Sequence, residues 1–165
     1  MGAASTSEKK KWLKEVACAL QYIHSKGLVH LAIQPSSVLI DSERIAKISD
    51  FSLCSGLPAV GVRHKTINFA SPEQIRRNVQ SSKSDNWSFG MTMYFLLTGK
   101  VPFDKLAKKF PDEKHFLYQI SKKKVRPYIE EGFEDQYMDL SCSMRDIWRD
   151  DAGHRKSLKS IVEEL

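Results

Sequence analysis

The chain has 165 residues, 41% hydrophobic and 28% charged, with a formal net charge of +6. These values suit one soluble globular domain whose core needs neither disulfides nor a structural metal. They exclude a disordered polymer, a disulfide-stapled mini-protein and, with no long apolar run, a membrane span. The three cysteines, Cys18, Cys54 and Cys142, stand far apart without metal-ligand spacing. They read as reduced thiols of a cytoplasmic protein. Much of the positive charge sits in short lysine runs such as Lys9-Lys10-Lys11 and Lys122-Lys123-Lys124. No aromatic residues interleave with them, so they read as solvated helix faces and predict no nucleic-acid partner. The N-terminal MGAASTS fits the loose N-myristoylation pattern but reads as a short polar terminus.

In chain order, the first predicted element is a helix over 8–26. Its apolar positions Trp12, Leu13, Val16, Ala17, Leu20 and Ile23 follow helical spacing, and Gly27 ends it. The period breaks after Leu28, and Pro35 keeps the preceding residue out of the helical region. Val38-Leu39-Ile40 and Ile45-Ala46-Lys47-Ile48 are β-prone runs joined by the turn Asp41-Ser42-Glu43-Arg44, which predicts a hairpin. Residues 53–69 show no period and hold Gly56, Pro58 and Gly61, which predicts a long functional loop.

Ser71-Pro72-Glu73 opens a short helix that ends near Arg77. Residues 82–97 are apolar all round (Trp87, Phe89, Met91, Met93, Tyr94, Phe95), which predicts a buried central helix stopped by Thr98-Gly99. Ser84 is the expected N-cap. Three amphipathic helices follow, over about 113–123, 134–149 and 157–165, with Pro111 and Pro127 in the connections. The predicted fold is mainly α with one small β-hairpin. Residues 1–7 are expected as a flexible N-terminus and 8–165 as the domain.

Five short motifs fall in order along these elements: His30-Leu31-Ala32, Asp50-Phe51-Ser52, Ser71-Pro72-Glu73, Asp85-Asn86-Trp87-Ser88-Phe89-Gly90, and Arg155. Together they resemble the HRD, DFG, APE and D-x-W-S-x-G motifs of the C-terminal lobe of protein kinases. The resemblance implies a helical bundle around a buried central helix, and it covers 8–165. It also implies specific losses. Ala32 stands where the family places the catalytic aspartate, and a methyl group accepts no proton. Gln34 replaces the lysine that faces the transferred phosphoryl group. Ser37 replaces the asparagine that helps to hold a second magnesium, and Leu31 replaces an arginine that pairs with phosphate. Thr66 matches a loop threonine whose two partners are gone.

Asp50 keeps the position of the family's magnesium-binding aspartate, with Ser52 in place of the mobile glycine. Two readings stand for it, a weak magnesium and nucleotide ligand or a residue that caps or hydrogen-bonds its own loop. The remaining positions are expected to hold the fold. His30 and Phe51 join a hydrophobic stack. Asp85 accepts backbone N–H groups around His30, and Glu73 pairs with Arg155.

Seven residues precede the first predicted helix, so an N-terminal lobe with its phosphate-covering glycine loop is not expected in the chain. No cofactor is then expected for the chain alone, with ATP and magnesium at most weak ligands. The surface near Leu28, Leu39 and Phe51 would be apolar and open to a protein partner, a separate N-lobe or a second copy. The primary expectation is a pseudokinase C-lobe acting as a scaffold, regulatory or binding module. The alternative is a fragment of an active serine/threonine-type kinase.

Overall fold

The computed structural model describes residues 4–54, 64–77, 80–110 and 112–165. Met1, Gly2, Ser55, Gly56, Pro58, Gly61, Pro111 and the side chain of Thr66 lie outside the described residues, as do the expectations attached to them. The described residues form seven α-helices, one two-stranded sheet and several 3-10 turns.

Helix α1 spans Thr6–Ser25. It begins two residues before the expected boundary because Ser5 and Glu8 form a capping box. The Ser5 hydroxyl accepts from the Glu8 N–H, and the Glu8 carboxylate accepts from the Ser5 N–H. Thr6 and Ser7 are therefore helical rather than part of a flexible terminus. At the other end Gly27 takes a left-handed φ of 71°. Its N–H bonds to the His24 carbonyl and that of Leu28 to Ile23, which closes the last turn as a Schellman motif.

Strands β1, Val38–Ile40, and β2, Ala46–Ile48, pair antiparallel, with Val38 opposite Ile48 and Ile40 opposite Ala46. The Asp41 carboxylate accepts from the N–H groups of Glu43 and Ile45, and this Asx-type turn sets the register. Beyond the hairpin, the described ends of the aperiodic stretch curl into 3-10 turns at Phe51–Leu53 and His64–Phe69.

Helix α2, Pro72–Arg77, is followed by the central helix α3, Ser82–Thr98. Twelve residues of α3 are buried, including Trp87, Phe89, Met91 and Met93, so the sequence that is apolar all round lies inside the bundle. Its N-cap is Ser81 rather than Ser84. Ser84 is already helical and fully buried, and its hydroxyl donates to Glu73 instead. Gly99, at φ 70°, closes the C-terminus.

Helix α4, Asp104–Lys109, was not expected. It is a short, lysine-rich helix of six residues packed beside α5, Glu113–Ser121. Helix α6, Phe133–Ile147, replaces the expected continuous helix with one kinked at Tyr137, whose φ of −139° and ψ of 44° leave the helical region. Helix α7, Leu158–Glu164, is capped by Ser157. Helices α1 and α6 pack on α3, and α7 closes over α1 and α6.

Gly90 shows how tightly α3 and α6 approach. A Cβ there would lie 2.3 Å from Ile147 Cγ2 and 2.9 Å from Trp148 Nε1. Both neighbours are fully or almost fully buried and cannot swing aside. Gly90→Ala gains helix propensity yet must separate the two helices, at a cost of about 1–3 kcal/mol. We expect its Tm in a thermal melt to fall by on the order of 5 °C; an unchanged Tm would mean that α3 and α6 do not meet this closely.

Candidate functional site

The site is assembled on the N-terminal half of α3. Asp85 lies in the first turn of that helix with no solvent exposure. Its Oδ1 accepts from the Leu31 N–H at 2.7 Å, and its Oδ2 from the His30 N–H at 2.8 Å. The same Oδ2 lies 2.9 Å from His24 Nε2. A buried carboxylate persists only when hydrogen-bonded in this way, and here it fixes the loop backbone. His24 went unrecognised in the sequence. It lies one turn beyond Leu20 on the inner side of α1, and a polar residue at a core-periodic position was the available signal.

His30 is fully buried. Its Nε2 lies 3.0 Å from the Ser49 carbonyl, while its Nδ1 lies 3.3 Å from the Ala32 N–H. This pattern assigns the neutral tautomer with Nε2 donating and Nδ1 accepting. The imidazole thereby joins the loop to the strand end before Asp50. Phe51 packs edge-on against it, with ring centroids 5.0 Å apart. Burial holds the His30 imidazole below its ordinary range, against the upward pull of Asp85, the Ser49 carbonyl and Asp50; His24 adds to the depression.

Between these anchors the loop holds little reactive chemistry. Leu31 has a left-handed φ of 67°, a strained state for a branched residue, retained here because Asp85 grips its N–H. Ala32 is buried, and its side chain is a methyl group. The Ser37 hydroxyl donates to the Gln34 carbonyl at 2.9 Å and accepts from the Gln34 N–H at 3.0 Å. Ser37 therefore closes the 3-10 turn Pro35–Ser37 upon itself. The exposed Asp50 also takes a left-handed conformation, at φ 62°. It makes no side-chain cap to the turn after it, and its Oδ1 accepts from Ser52 Oγ at 2.7 Å. Magnesium is held by one or two carboxylates together with phosphates and water. The donor set fits it poorly: a single carboxylate already bonded to Ser52, beside a serine hydroxyl committed to Gln34. Among the described residues no three His, Cys, Asp or Glu side chains gather as a metal cluster.

A second anchor ties α2 to the end of the bundle. Ser71 and Gln74 cap α2 reciprocally, which presents Glu73 inward. Arg155 is 0% exposed at its side chain and meets Glu73 in a two-pronged pair, both contacts at 2.7 Å. The guanidinium also donates to the carbonyls of Lys83 and Arg149. Burial raises the Glu73 carboxyl, but the hydrogen bonds and charge of Arg155 outweigh this and hold it below the ordinary carboxylate range. Arg155 and Arg126 both lie against the Trp87 ring, at 5.1 and 4.7 Å from its centroid. Burial pulls the Arg126 guanidinium down to about 10, in spite of Asp150 nearby.

The frame and the order of its parts match a known family. The family model for the protein kinase domain matches residues 1–165. The chain belongs to the protein kinase domain family. Its relatives include proteins named as serine/threonine-protein kinases and one named as a tyrosine-protein kinase. It is 36% identical over 111 residues to CBL-interacting serine/threonine-protein kinase 8 of Arabidopsis thaliana, covering 64% of this chain and 25% of that protein. It is 31% identical over 159 residues to the epidermal growth factor receptor of Drosophila melanogaster, covering 92% and 10%. It is 28% identical over 170 residues to the megakaryocyte-associated tyrosine-protein kinase of Rattus norvegicus, covering 98% and 33%. The chain thus spans a third or less of the length of these relatives.

Two measurements check this geometry. Glu73→Ala leaves the Arg155 guanidinium buried without its partner, and equilibrium unfolding should show a loss of about 3 kcal/mol. A loss close to zero would mean that the pair does not form in solution. The buried His30 gives a pH dependence of known sign. Its folded pKa lies below the ordinary 6.5, so below that pH the unfolded chain takes up a proton that the buried ring resists. The stability from neutral His30 is complete above 6.5 and falls as pH drops toward the folded pKa. Between about pH 7.5 and about pH 5.5 the urea midpoint should fall more steeply for wild type than for His30→Asn. His24, Asp85 and Asp50, which face the ring, are present in both proteins, so equal slopes would refute the assignment.

Proposed function

We propose that this protein-kinase domain segment is non-catalytic and serves as a scaffold or regulatory protein-binding module. The observation that carries the reading is Ala32. At the position where the family's chemistry calls for a carboxylate to accept the substrate proton, the side chain is a buried methyl group. Gln34 and Ser37 support it, since one carries no charge and the other has its hydroxyl closed on the adjacent turn. Nucleotide and magnesium binding through Asp50 are then weak, because one carboxylate without the companion ligands offers little differential affinity.

The surface that faces a partner in this reading includes Leu28, Leu39 and Phe51, which are 40%, 56% and 50% exposed. Leu39 lies on strand β1, so the hairpin contributes to this surface. A protein partner, an N-terminal lobe or a second copy would each cover it. No helix among the described residues is long and apolar enough to cross a membrane. We place the protein in the cytoplasm, on the strength of its three unpaired cysteines. Neither nucleic acid nor membrane is part of this proposal.

Labelled ATP, magnesium and a generic protein substrate supply the test. The full chain and its Asp50→Ala variant should incorporate label equally, at background. Incorporation that Asp50→Ala abolishes would establish the competing reading, an active kinase working with atypical loop residues. A thermal melt with ATP should give the same Tm with and without magnesium.

A further inference from the structure

The C-terminal end of α3 carries a feature that the kinase-like site does not use. A pocket of 650 Å³ opens between the α3–α4 connection, α4 and the irregular segment 124–130. Its floor is apolar, formed by Tyr94, Phe103, Leu106 and Pro127. Its lip carries two exposed apolar side chains, Val101 at 39% and Tyr128 at 61%. The volume lies within the range of sites that enclose a ligand side chain or small molecule.

Charge decides what the pocket prefers. The lining holds Lys100, Lys105, Lys109 and Arg126 against Asp104 and Glu130. Lys100 is paired with Glu130, Asp104 with Lys108, and the Arg126 guanidinium is turned inward to the Trp148 carbonyl and the Trp87 ring. Lys105 and Lys109 lie over the rings of Tyr128 and Phe110, at 5.6 and 5.7 Å, and the charge of Lys105 also reaches Glu130. Both are exposed and both lie on the rim. The pocket therefore offers two exposed cations above an apolar floor: Lys105, which shares Glu130 with Lys100, and Lys109, which has no carboxylate partner among the described residues. Shape adds a further constraint. Recesses of 380 and 430 Å³ adjoin it, and all three share Tyr128 as a wall. A line of recesses along one backbone segment suits an extended chain better than a compact small molecule.

We propose that this groove binds an extended peptide segment of a partner protein, in which acidic residues flank a leucine or aromatic anchor. The anchor enters the pocket beside Tyr128, and the acidic residues meet Lys105 and Lys109. The proposal does not rest on the loss of phosphotransfer. The groove lies at the far end of α3 from Asp85, about 20 Å away along the helix, so failure of either idea leaves the other standing.

A random-peptide display library panned against the full chain, followed by fluorescence anisotropy of the enriched peptide, tests it. The expected peptides combine glutamate or aspartate with leucine or phenylalanine. Their affinity should fall about tenfold or more in K105E/K109E and also in Tyr128→Ala. All three residues are exposed, so an unchanged thermal melt confirms that these variants fold. No enrichment of acidic-apolar sequences would overturn the proposal, as would equal affinity for wild type and variants. Heparin that displaces the peptide while Tyr128→Ala has no effect would also overturn it, since the surface would then be a plain polyanion site.

Discussion

One carboxylate organises the loop half of this domain. Asp85 sits in the first turn of a buried helix, out of reach of water, and its two oxygens receive the N–H groups of His30 and Leu31 and lie against the His24 ring. Each of these contacts is needed because the charge has no solvent to fall back on. The loop therefore has one backbone path available, even though that path drives Leu31 into a left-handed conformation. His30 then passes the constraint on, through its two ring nitrogens, to Ala32 on one side and Ser49 on the other. The residue before Asp50 is thus positioned from α3, through a chain of hydrogen bonds rather than through a continuous strand.

The second anchor, Glu73 with Arg155, has the same logic with the signs exchanged. Here a guanidinium is buried completely, and carboxylate, carbonyls and the Trp87 ring share the task of compensating it. Ser84, one residue before Asp85, donates to Glu73, so the two anchors meet on a single turn of α3. That turn fixes the loop on one side and α2 on the other. Its polar residues, placed in an otherwise apolar helix, are the part of the core that specifies geometry rather than bulk packing.

Much of this was legible in the sequence, for a physical reason. A helix that is apolar all round has one place to go, and the isolated Asp85 within its first turn demands donors. The hairpin was legible because its β-prone runs were short and separated by a turn rich in polar side chains. What escaped were features set by tertiary contacts. Ser84 has the chemistry of a cap, yet Glu73 claims its hydroxyl, and Ser81 takes the cap position without a side-chain bond. Helix α4 has six residues, too few for a period to emerge. The kink at Tyr137 is invisible to a pattern that reads only spacing. His24 offered only its core-periodic position as a signal, and that position does not identify Asp85 as its partner. Ser37 reads in sequence as a weakened substitute for a metal-binding asparagine, and in space its hydroxyl closes its own turn.

The contrast between frame and loop follows from what each residue contributes to folding. Breaking a buried, hydrogen-bonded charge on one side costs about 3–5 kcal/mol, against a total stability of about 5–15 kcal/mol for a domain. Asp85, Glu73 and Arg155 therefore cannot change singly without endangering the fold. A catalytic side chain is in the opposite position. It faces a substrate rather than the core, and its replacement leaves no buried charge unpaired. Ala32 meets the packing demand at its position with a methyl group, and Ser37 satisfies its own turn. Chemistry can leave such a loop while its backbone stays where it was, because the groups that hold the backbone are not the groups that would have transferred a phosphoryl group. The anchors of this network therefore hold the loop backbone independently of which side chains stand at positions 32, 34 and 37.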